Sequence, residues 1–417
     1  MTAVPERAPG PLLAIFGANA VSLTGNVAAL VAIPWFVLET TNSASKTGIT
    51  AAAALLPVVL SGLFGGALVD RLGYRRTSVV SDLASAGAVA AIPLLHSTIG
   101  LEFWQLVVLV FLGGLLDAPG GTARAALLPE AAERAGWSFE RATGMTAVVE
   151  RGSRLAGGPL AALLIAVAGP TNVLWIDAAT FLVSALLIAA GVPRPTRVAG
   201  GGGTSYLQEL REGYRFLRRD RTLATLVFMI AFTNAFDAVT MVAAPVLAQR
   251  VYGSATSLGL MVAVGGAGAV VGALAFASVG ERRSRRAVFT WGFIVFTISY
   301  PVAALFPPLW ILLVAKAVAG LAAGPINPVI DTVFFERVPA GVRGRVYGVV
   351  HAAAWIAMPL GVLVGGSIID LLGLRATLLV TGAAYLAVTV AARFSPALHG
   401  LDRPAPAERL PEPATAA

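Results

Sequence analysis

The stretch "GGALVDRLGYRR", residues 65–76, ends one long apolar segment and leads directly into the next. Gly66 allows two helices to approach closely, and Gly73 permits the tight turn that a short connection requires. Asp70 can pair with an arginine or cap the N-terminus of a neighbouring helix. Basic residues follow the aspartate, namely Arg71, Arg75 and Arg76. The stretch therefore predicts a short charged connection between two membrane-spanning helices.

The composition of the whole chain also indicates a membrane protein. Of its 417 residues, 57% are hydrophobic and 12% are charged, and the mean hydropathy is +0.80. Soluble globular proteins are about 45–50% apolar and about 25% charged. The absence of cysteine excludes disulfides and thiol catalysis, and three scattered histidines disfavour a histidine-rich metal site. We expect an integral membrane protein that is not an enzyme and needs no cofactor or metal.

Twelve apolar stretches are long enough to cross a bilayer, since a spanning helix needs about 20 mostly apolar residues. They are residues 12–38, 47–69, 77–97, 102–124, 140–168, 171–192, 222–249, 257–279, 287–306, 309–331, 344–369 and 374–394. With the N-terminus inside, most basic residues fall on the cytoplasmic side, and the outer connections hold Lys46, Arg250 and Arg375. This asymmetry predicts two cytoplasmic termini, and it accounts for the net charge of +8 without a nucleic-acid partner.

The longest internal polar stretch, residues 193–221, divides the spans into two sets of six. It begins with proline-rich turn signals and a run of glycines that predicts a flexible hinge. Apolar residues then recur at helical spacing, which predicts an amphipathic helix on the inner membrane face or a solvated helix. We predict bundles at residues 1–192 and 222–394, a cytoplasmic linker with this helix at 193–221, and a cytoplasmic tail at 395–417.

The two halves of the chain resemble each other. "NVAALVAIP" (26–34) matches "DAVTMVAAP" (237–245), and "LVDRLGYRR" (68–76) corresponds to "SVGERRSRR" (278–286). Two parallel six-helix repeats with a binding site between them near the bilayer midplane form a secondary-transporter architecture. The sequence thus predicts an all-α membrane protein with twelve transmembrane helices in two pseudo-symmetric six-helix bundles.

The stretch at 65–76 resembles the loop motif of the major facilitator superfamily, Gly-x-x-x-Asp-Arg-x-Gly followed by basic residues. Tyr74 stands where the family has a further basic residue. The stretches "SLTGNVAALVAIPWFVLETTNSA" (22–44) and "NVLWIDAATFLVSALL" (172–187) look like the drug:proton antiporter branch, which includes macrolide efflux and enterobactin export proteins. The resemblance implies the major facilitator fold and a cytoplasmic gate formed by the loop motif.

A second motif lies in the fifth span, where "RLAGGPLAALL" (154–164) is similar to the Gly-Pro motif associated with antiporters. Gly157, Gly158 and Pro159 fit the motif, whereas Ala162 and Leu163 replace its paired glycines. Such a pair loosens a membrane helix and permits a kink and close packing. We predict a helix-kink motif here, with ordinary packing as the alternative.

Asp237 lies near the middle of the seventh span and shares a polar face with Asn234. An ionisable residue within a span is a functional hypothesis by default. Its repeat counterpart is Asn26, on a stripe with Asn19, and the resemblance implies that aspartate is frequent at that position. An apolar environment disfavours an ionised carboxylate, so Asp237 is a candidate for proton uptake or for contact with a cationic substrate. A structural hydrogen bond is the alternative.

Other embedded charges lie in the third, fourth and fifth spans. Asp117 and Arg124, seven residues apart on one face, are expected to join a network with the loop motif or to line the cavity. Glu150 and Arg154 are four residues apart, so we expect them to pair with each other or to face the cavity. Asp82 lies near an inner helix end, from which we expect it to reach the interface or the basic loops.

Three further features have a second interpretation. His351 and Trp355 share a face of the eleventh span, which suits either an adaptable apolar pocket or helix packing. Asp177, in the sixth span, is expected to form structural hydrogen bonds, with proton coupling as the alternative. "GGAGAVVGA" (265–273) has closely spaced glycines but no Walker lysine, so helix packing is the better interpretation.

The sequence predicts a secondary transporter that exports a hydrophobic or amphipathic small molecule, such as a drug, siderophore or secondary metabolite. We expect exchange for protons, alternating access, and a monomer in the lipid bilayer of a bacterial inner membrane. A uniporter or importer of the same fold is one alternative. A membrane sensor or partner subunit that does not transport is the other.

Overall fold

A computed structural model of the chain describes residues 8–193, 206–279 and 284–402, which are nearly all helical. The side chains of residues 61–72, 206–210, 279 and 340 lie outside this description. The helices are α1 (Gly10–Thr41), α2 (Ala44–Leu72), α3 (Tyr74–Thr98), α4 (Phe103–Ala135), α5 (Phe139–Ala168), α6 (Pro170–Gly191), α7 (Tyr206–Arg219), α8 (Arg221–Arg250), α9 (Ala255–Val279), α10 (Arg285–Thr297), α11 (Ser299–Ala304), α12 (Leu309–Ala323), α13 (Ile326–Arg337), α14 (Arg343–Leu372) and α15 (Leu374–Phe394).

Each of the twelve predicted spans corresponds to helix in the structure, but the ninth and tenth spans are broken. α10 gives way to α11 at Ile298, and α12 gives way to α13 at Gly324 and Pro325. Pro301 has no backbone N–H to bond the carbonyl four residues earlier, which favours the break about one turn before it, whereas Pro325 lies at the second break itself. Both broken pairs still run as continuous apolar stretches, Arg285–Ala304 and Leu309–Arg337.

Among the described residues, ten helical stretches are long and apolar enough to cross a membrane. The first part of α2, Ala44–Leu60, adds a shorter apolar helix. α5 differs from the others because its first half carries Glu150, Arg151 and Arg154. The chain is therefore a multi-pass membrane protein.

The chain divides into two compact units that cut across single helices. Unit 1 comprises Met1–Gly203, Asn234–Ala263 and Trp355–Leu378, and unit 2 comprises Thr204–Thr233, Val264–Ala354 and Leu379–Ala417. Within unit 1, α1 packs against α5 and α6, α3 packs against α4 and α6, and α2 packs against α4. Within unit 2, α10 packs against α12. The bundle boundaries at residues 192 and 222 stay a prediction.

α7 forms within the predicted linker and packs against the start of α14. A Cβ atom at Gly213 would lie 2.3 Å from the carbonyl oxygen of Arg345, so only glycine allows this approach. Glu212 and Arg345 form an ion pair of 2.6 Å. Leu217 is buried and Tyr214 is exposed. The predicted glycine hinge and most of the predicted tail fall on residues 194–205 and 403–417, outside the described residues.

The glycines of residues 265–273 bring α9 into backbone contact with α12, which confirms the packing interpretation. A Cβ atom at Gly268 would lie 2.4 Å from the carbonyl oxygen of Ala317. One at Gly272 would lie 2.1 Å from the carbonyl oxygen of Leu321. Small residues let membrane helices associate by close van der Waals packing where no hydrophobic driving force exists.

We expect Gly268→Ala to lower the free energy of unfolding in detergent micelles by about 1–3 kcal/mol, because the methyl group displaces α12. Gly265→Ala is the matched control on the same helix. A Cβ atom there meets no atom closer than 3.9 Å, and alanine favours helix by up to about 1 kcal/mol. Equal stability of the two variants would contradict close packing at Gly268.

Candidate functional site

A buried polar cluster connects four helices of unit 1. We call it the N-terminal polar cluster. Its members are Asn19 and Asn26 of α1, Asp82 of α3, Asp117 and Arg124 of α4, and Ser184 of α6. Four of these six residues were predicted from sequence, and the structure brings those four together.

Arg124 is the centre of the cluster. Its Nη1 donates to Oδ1 of Asp82 over 2.8 Å, and its Nε donates to Oδ1 of Asn19 over 2.7 Å. The side chain of Arg124 is 3% exposed and that of Asp82 is 0% exposed. A buried charge is costly unless it is paired and hydrogen-bonded, so the ion pair fixes α3, α4 and α1 relative to one another.

Asp82 contradicts the prediction that it reaches the membrane interface. It lies two turns inside α3, and its Oδ2 accepts a hydrogen bond of 2.7 Å from Ser184 Oγ. Both of its oxygens are therefore occupied. The sequence signal for this position is a stripe at helical spacing, in which Ser78, Asp82 and Ser85 are all buried.

Asp117 is the more accessible carboxylate of the cluster. Its Oδ2 accepts a hydrogen bond of 2.9 Å from Asn26 Nδ2. Its Oδ1 lies 3.9 Å from Arg124 Nη2 and has no hydrogen-bond donor among the described residues. The side chain is 23% exposed. Oδ1 is itself buried, so Asp117 has one unsatisfied acceptor that a proton or a donor group of a ligand would satisfy.

Asp177 lies on α6 and its side chain is buried. Thr180 Oγ1 donates to the Asp177 backbone carbonyl over 2.7 Å and lies 3.3 Å from its Oδ1. A Cβ atom at Gly25 of α1 would lie 2.4 Å from Asp177 Oδ1, so glycine is required for this contact. No ion pair to Asp177 forms within the described part of the chain, which fits the predicted structural hydrogen bonding.

The remaining predicted cavity residues lie on other helices, namely α5, α8 and α14. Asp237 and Asn234 are half-buried on α8, where Thr240 Oγ1 donates to the Asp237 carbonyl over 2.6 Å. Glu150 and Arg154 are both exposed on α5, and these two described side chains form no ion pair with each other. The expected pairing is therefore not formed.

The eleventh-span pair and the loop motif are only partly described. On α14, His351 is exposed and Trp355 is half-buried, and a pocket there stays a prediction. Gly73 has φ +82°, which confirms the predicted tight turn. Arg75 Nη2 donates to the Ala189 carbonyl of α6, and Arg76 is exposed. The other motif positions, Gly66, Asp70 and Arg71, belong to residues 61–72, whose side chains the structure does not describe.

The Gly-Pro motif brings α5 close to two other helices of unit 1. A Cβ atom at Gly157 would lie 2.7 Å from the Val27 side chain of α1. One at Gly158 would lie 2.8 Å from the Val262 side chain of α9. α5 continues through Pro159 as one helix, so close packing is the feature that the structure supports here.

Comparison with known proteins extends these observations along the whole chain. Residues 11–417 match the family described as transmembrane secretion effector. The chain is 36% identical over 405 residues to the multidrug efflux pump Tap of Mycolicibacterium fortuitum, covering 94% of this chain and 97% of that protein. It is 21% identical over 396 residues to macrolide efflux protein A of Streptococcus pyogenes, covering 93% and 96%. The resemblance inferred from the motifs is confirmed.

The fold is also similar to that of a solved transporter. The crystal structure of the nucleoside transporter NupG matches with a TM-score of 0.76 at 12% sequence identity, covering 92% of this chain and 99% of that one. At this identity the likeness concerns the fold alone. It supports the predicted twelve-helix architecture.

We expect Arg124→Met to destabilise the protein by about 3–5 kcal/mol, because Asp82 is left buried without its counter-charge. Arg134→Met is the matched control on α4. Arg134 forms an ion pair of 2.6 Å with Glu130, but both side chains are exposed, so its loss should cost less than about 1 kcal/mol. Unfolding in detergent measures both. A second variant, Arg124→Met with Asp82→Asn, should recover much of the loss, and failure to do so would contradict a charge-pairing role.

Proposed function

Since the chain belongs to the transmembrane secretion effector family of the major facilitator superfamily, we propose that it exports drug-like small molecules in exchange for protons. The family and the full-length efflux relatives make the chain a small-molecule efflux transporter. Proton exchange and alternating access form the proposal. The single observation that carries it is the partly exposed carboxylate of Asp117 beside a buried arginine, with one buried oxygen that has no hydrogen-bond donor among the described residues.

The substrate class follows from the relatives and from the chain itself. Two relatives that align along most of the chain are named for multidrug and macrolide efflux. We propose hydrophobic or amphipathic substrates of this kind for the present chain. The direction is export, and the transporter resides in a bacterial inner membrane with both termini in the cytoplasm, as the distribution of basic residues predicts.

Asp117 is the proposed proton-binding group. When Asp117 is ionised, it attracts Arg124, whose Nη2 is 3.9 Å from Oδ1. Protonation cancels this attraction, while the 2.8 Å ion pair to Asp82 keeps Arg124 neutralised. The charge change therefore acts on the contact between Asp117 and its neighbours rather than on the whole cluster. A site that titrates without leaving a buried arginine unpaired can cycle at low energetic cost.

Asp82 is unsuited to the same role. Both of its oxygens are hydrogen-bonded and its side chain is fully buried, so a proton would have to break the ion pair with Arg124. Asp177 is also buried and has no solvent-exposed surface for exchange. Asp237 stays the alternative proton carrier predicted from the repeat, and it lies on α8, outside the cluster.

We expect Asp117→Asn to abolish substrate uptake driven by an imposed pH gradient in inside-out proteoliposomes, because an amide cannot bind the coupled proton. Exchange of substrate without a pH gradient should persist. Macrolides and other lipophilic antibiotics are the probes. Asp177→Asn is the matched control, a neighbouring carboxylate that should retain coupling.

Other results of this experiment would change which residue is assigned as the proton-binding group, or would change the proposed function. Full coupling in Asp117→Asn together with lost coupling in Asp237→Asn would move the proton site to α8. Substrate flux that never responds to the pH gradient in the unmodified chain would favour the uniporter. No flux of any probe in either direction would favour the sensor or partner subunit.

A further inference from the structure

Asp370, at the end of α14, binds the start of α2. Its Oδ2 accepts hydrogen bonds from Ser43 Oγ over 2.9 Å and from the Ser45 N–H over 2.8 Å. Its Oδ1 accepts from the Ala44 N–H over 3.1 Å. A carboxylate at a helix N-terminus satisfies unpaired N–H groups and interacts favourably with the helix dipole. One side chain from near the end of the chain thus caps the second helix.

Two more helices end at the same place. Arg250, the last residue of α8, donates from Nη2 to the carbonyl of Asn42, which caps the end of α1, over 2.8 Å. The same nitrogen lies 3.8 Å from Asp370 Oδ1. We call Asn42, Ser43, Ser45, Arg250 and Asp370 the Asp370 junction. The side chains of Arg250 and Asp370 are 35% and 30% exposed, so the ion pair is weak and the capping bonds dominate.

Behind the junction, glycines bring the helix backbones together. A Cβ atom at Gly48 of α2 would lie 2.4 Å from the carbonyl oxygen of Val362 of α14. One at Gly366 would lie 2.5 Å from the carbonyl oxygen of Ala44. Together these contacts form a seam between α2 and α14 that leaves no room for a side chain. The seam joins a helix of the first six spans to one of the last six.

α2 does not depend on Asp370 for its cap. Ser43 Oγ also accepts a hydrogen bond of 3.2 Å from the Lys46 N–H, as a local N-cap does. If Asp370 moves away, α2 keeps this cap and its start does not unravel. The bonds from Asp370 are therefore suited to forming and breaking repeatedly.

We infer that Asp370 is a positioning residue that holds the α2–α14 seam closed on the side predicted to face outside, and that the junction opens in each transport cycle. The inference rests on the proposed alternating access, in which one repeat moves against the other. A carboxylate that bridges the two repeats stabilises only the state in which this seam is closed. Its loss should shift the population towards the state in which the seam is open.

The chain contains no cysteine, which allows a single introduced thiol to report opening. Val362 is 0% exposed in the seam, and Val362→Cys removes volume without adding any. In intact cells, a membrane-impermeant maleimide should label this cysteine slowly. Adding Asp370→Asn should raise the labelling rate by about tenfold, because an amide loses the charge and one acceptor. Asp370→Glu, which keeps both, should label at nearly the rate of the parent.

Asp402→Asn is the matched control. Asp402 caps α10 with the same chemistry, since it accepts from Ser284 Oγ over 2.8 Å and from the Arg286 N–H over 3.2 Å. Both caps lie at helix ends, but Asp402 and α10 both belong to the second half of the chain, whereas Asp370 and α2 come from different halves. Asp402→Asn should leave the labelling of Val362→Cys unchanged while lowering the melting temperature.

Equal labelling in the Asp370→Asn and Asp402→Asn backgrounds would overturn the inference and leave Asp370 a structural cap. In inside-out vesicles the maleimide reaches the cytoplasmic side of the protein. If Asp370→Asn accelerated labelling of Val362→Cys in these vesicles but not in intact cells, the seam would not face outside as predicted. Labelling requires neither substrate nor a proton gradient. If the labelling rates changed as expected but the unmodified chain exported none of the probes, the result would therefore count against the proposed function alone.

Discussion

Arg124 imposes the constraint on which the first six spans depend, because a guanidinium removed from water must be neutralised by its neighbours. Asp82 from α3 and Asn19 from α1 accept hydrogen bonds from Arg124 directly. Ser184 from α6 donates to the second oxygen of Asp82 and so supports the ion pair indirectly. The apolar surfaces of these helices are interchangeable in lipid and select no partner. The polar cluster does select, because Arg124, Asp82 and Asn19 are hydrogen-bonded to one another only when α1, α3 and α4 are neighbours. It specifies which helices are neighbours, and it places Asp117 beside a fixed positive charge.

Glycine contacts allow helices to shift against one another, which the polar cluster does not. Where Gly48 meets Val362, or Gly268 meets Ala317, two backbones touch with no side chain interposed. Such surfaces are smooth and are held by many weak contacts, so no single contact must be rebuilt when helices shift. The buried ion pair cannot shift in this way without exposing a charge. The chain thus combines rigid polar contacts within the first six spans with smooth glycine contacts, one between helices of its two halves and one within the second half.

Local patterns in the sequence were enough to predict the spans, the tight turn at Gly73 and the close packing of the glycines at 265–273. Hydropathy and glycine spacing act over one or two turns, so they are legible in a single segment. The breaks at Ile298 and Gly324 were missed, although Pro301 and Pro325 signal them.

The candidate site was only partly predictable. Asn26, Asp117 and Arg124 stand out as polar residues in apolar runs, but their partners depend on which helices are neighbours. Arg124 bonds Asp82 and Asn19, which are 42 and 105 residues away in sequence. The expected ion pair between Glu150 and Arg154 assumed that charges in a span must pair within their own helix, but the fold leaves both side chains exposed. Asp370 gave no signal at all, because a cap for α2 that comes from α14 has no local pattern.

The hydrogen bond from Asn26 to Asp117 has a consequence for the energetics of the proposed proton exchange. An amide donates to the carboxylate without ever binding a proton, so this pair of residues carries at most one proton in each cycle. Exchange of one proton for a neutral molecule moves one elementary charge across the membrane. The membrane voltage then contributes about 2.3 kcal/mol per 100 mV. Exchange for a monovalent cation moves no net charge and draws on the pH difference alone, so the charge of the exported compound determines which part of the proton gradient expels it.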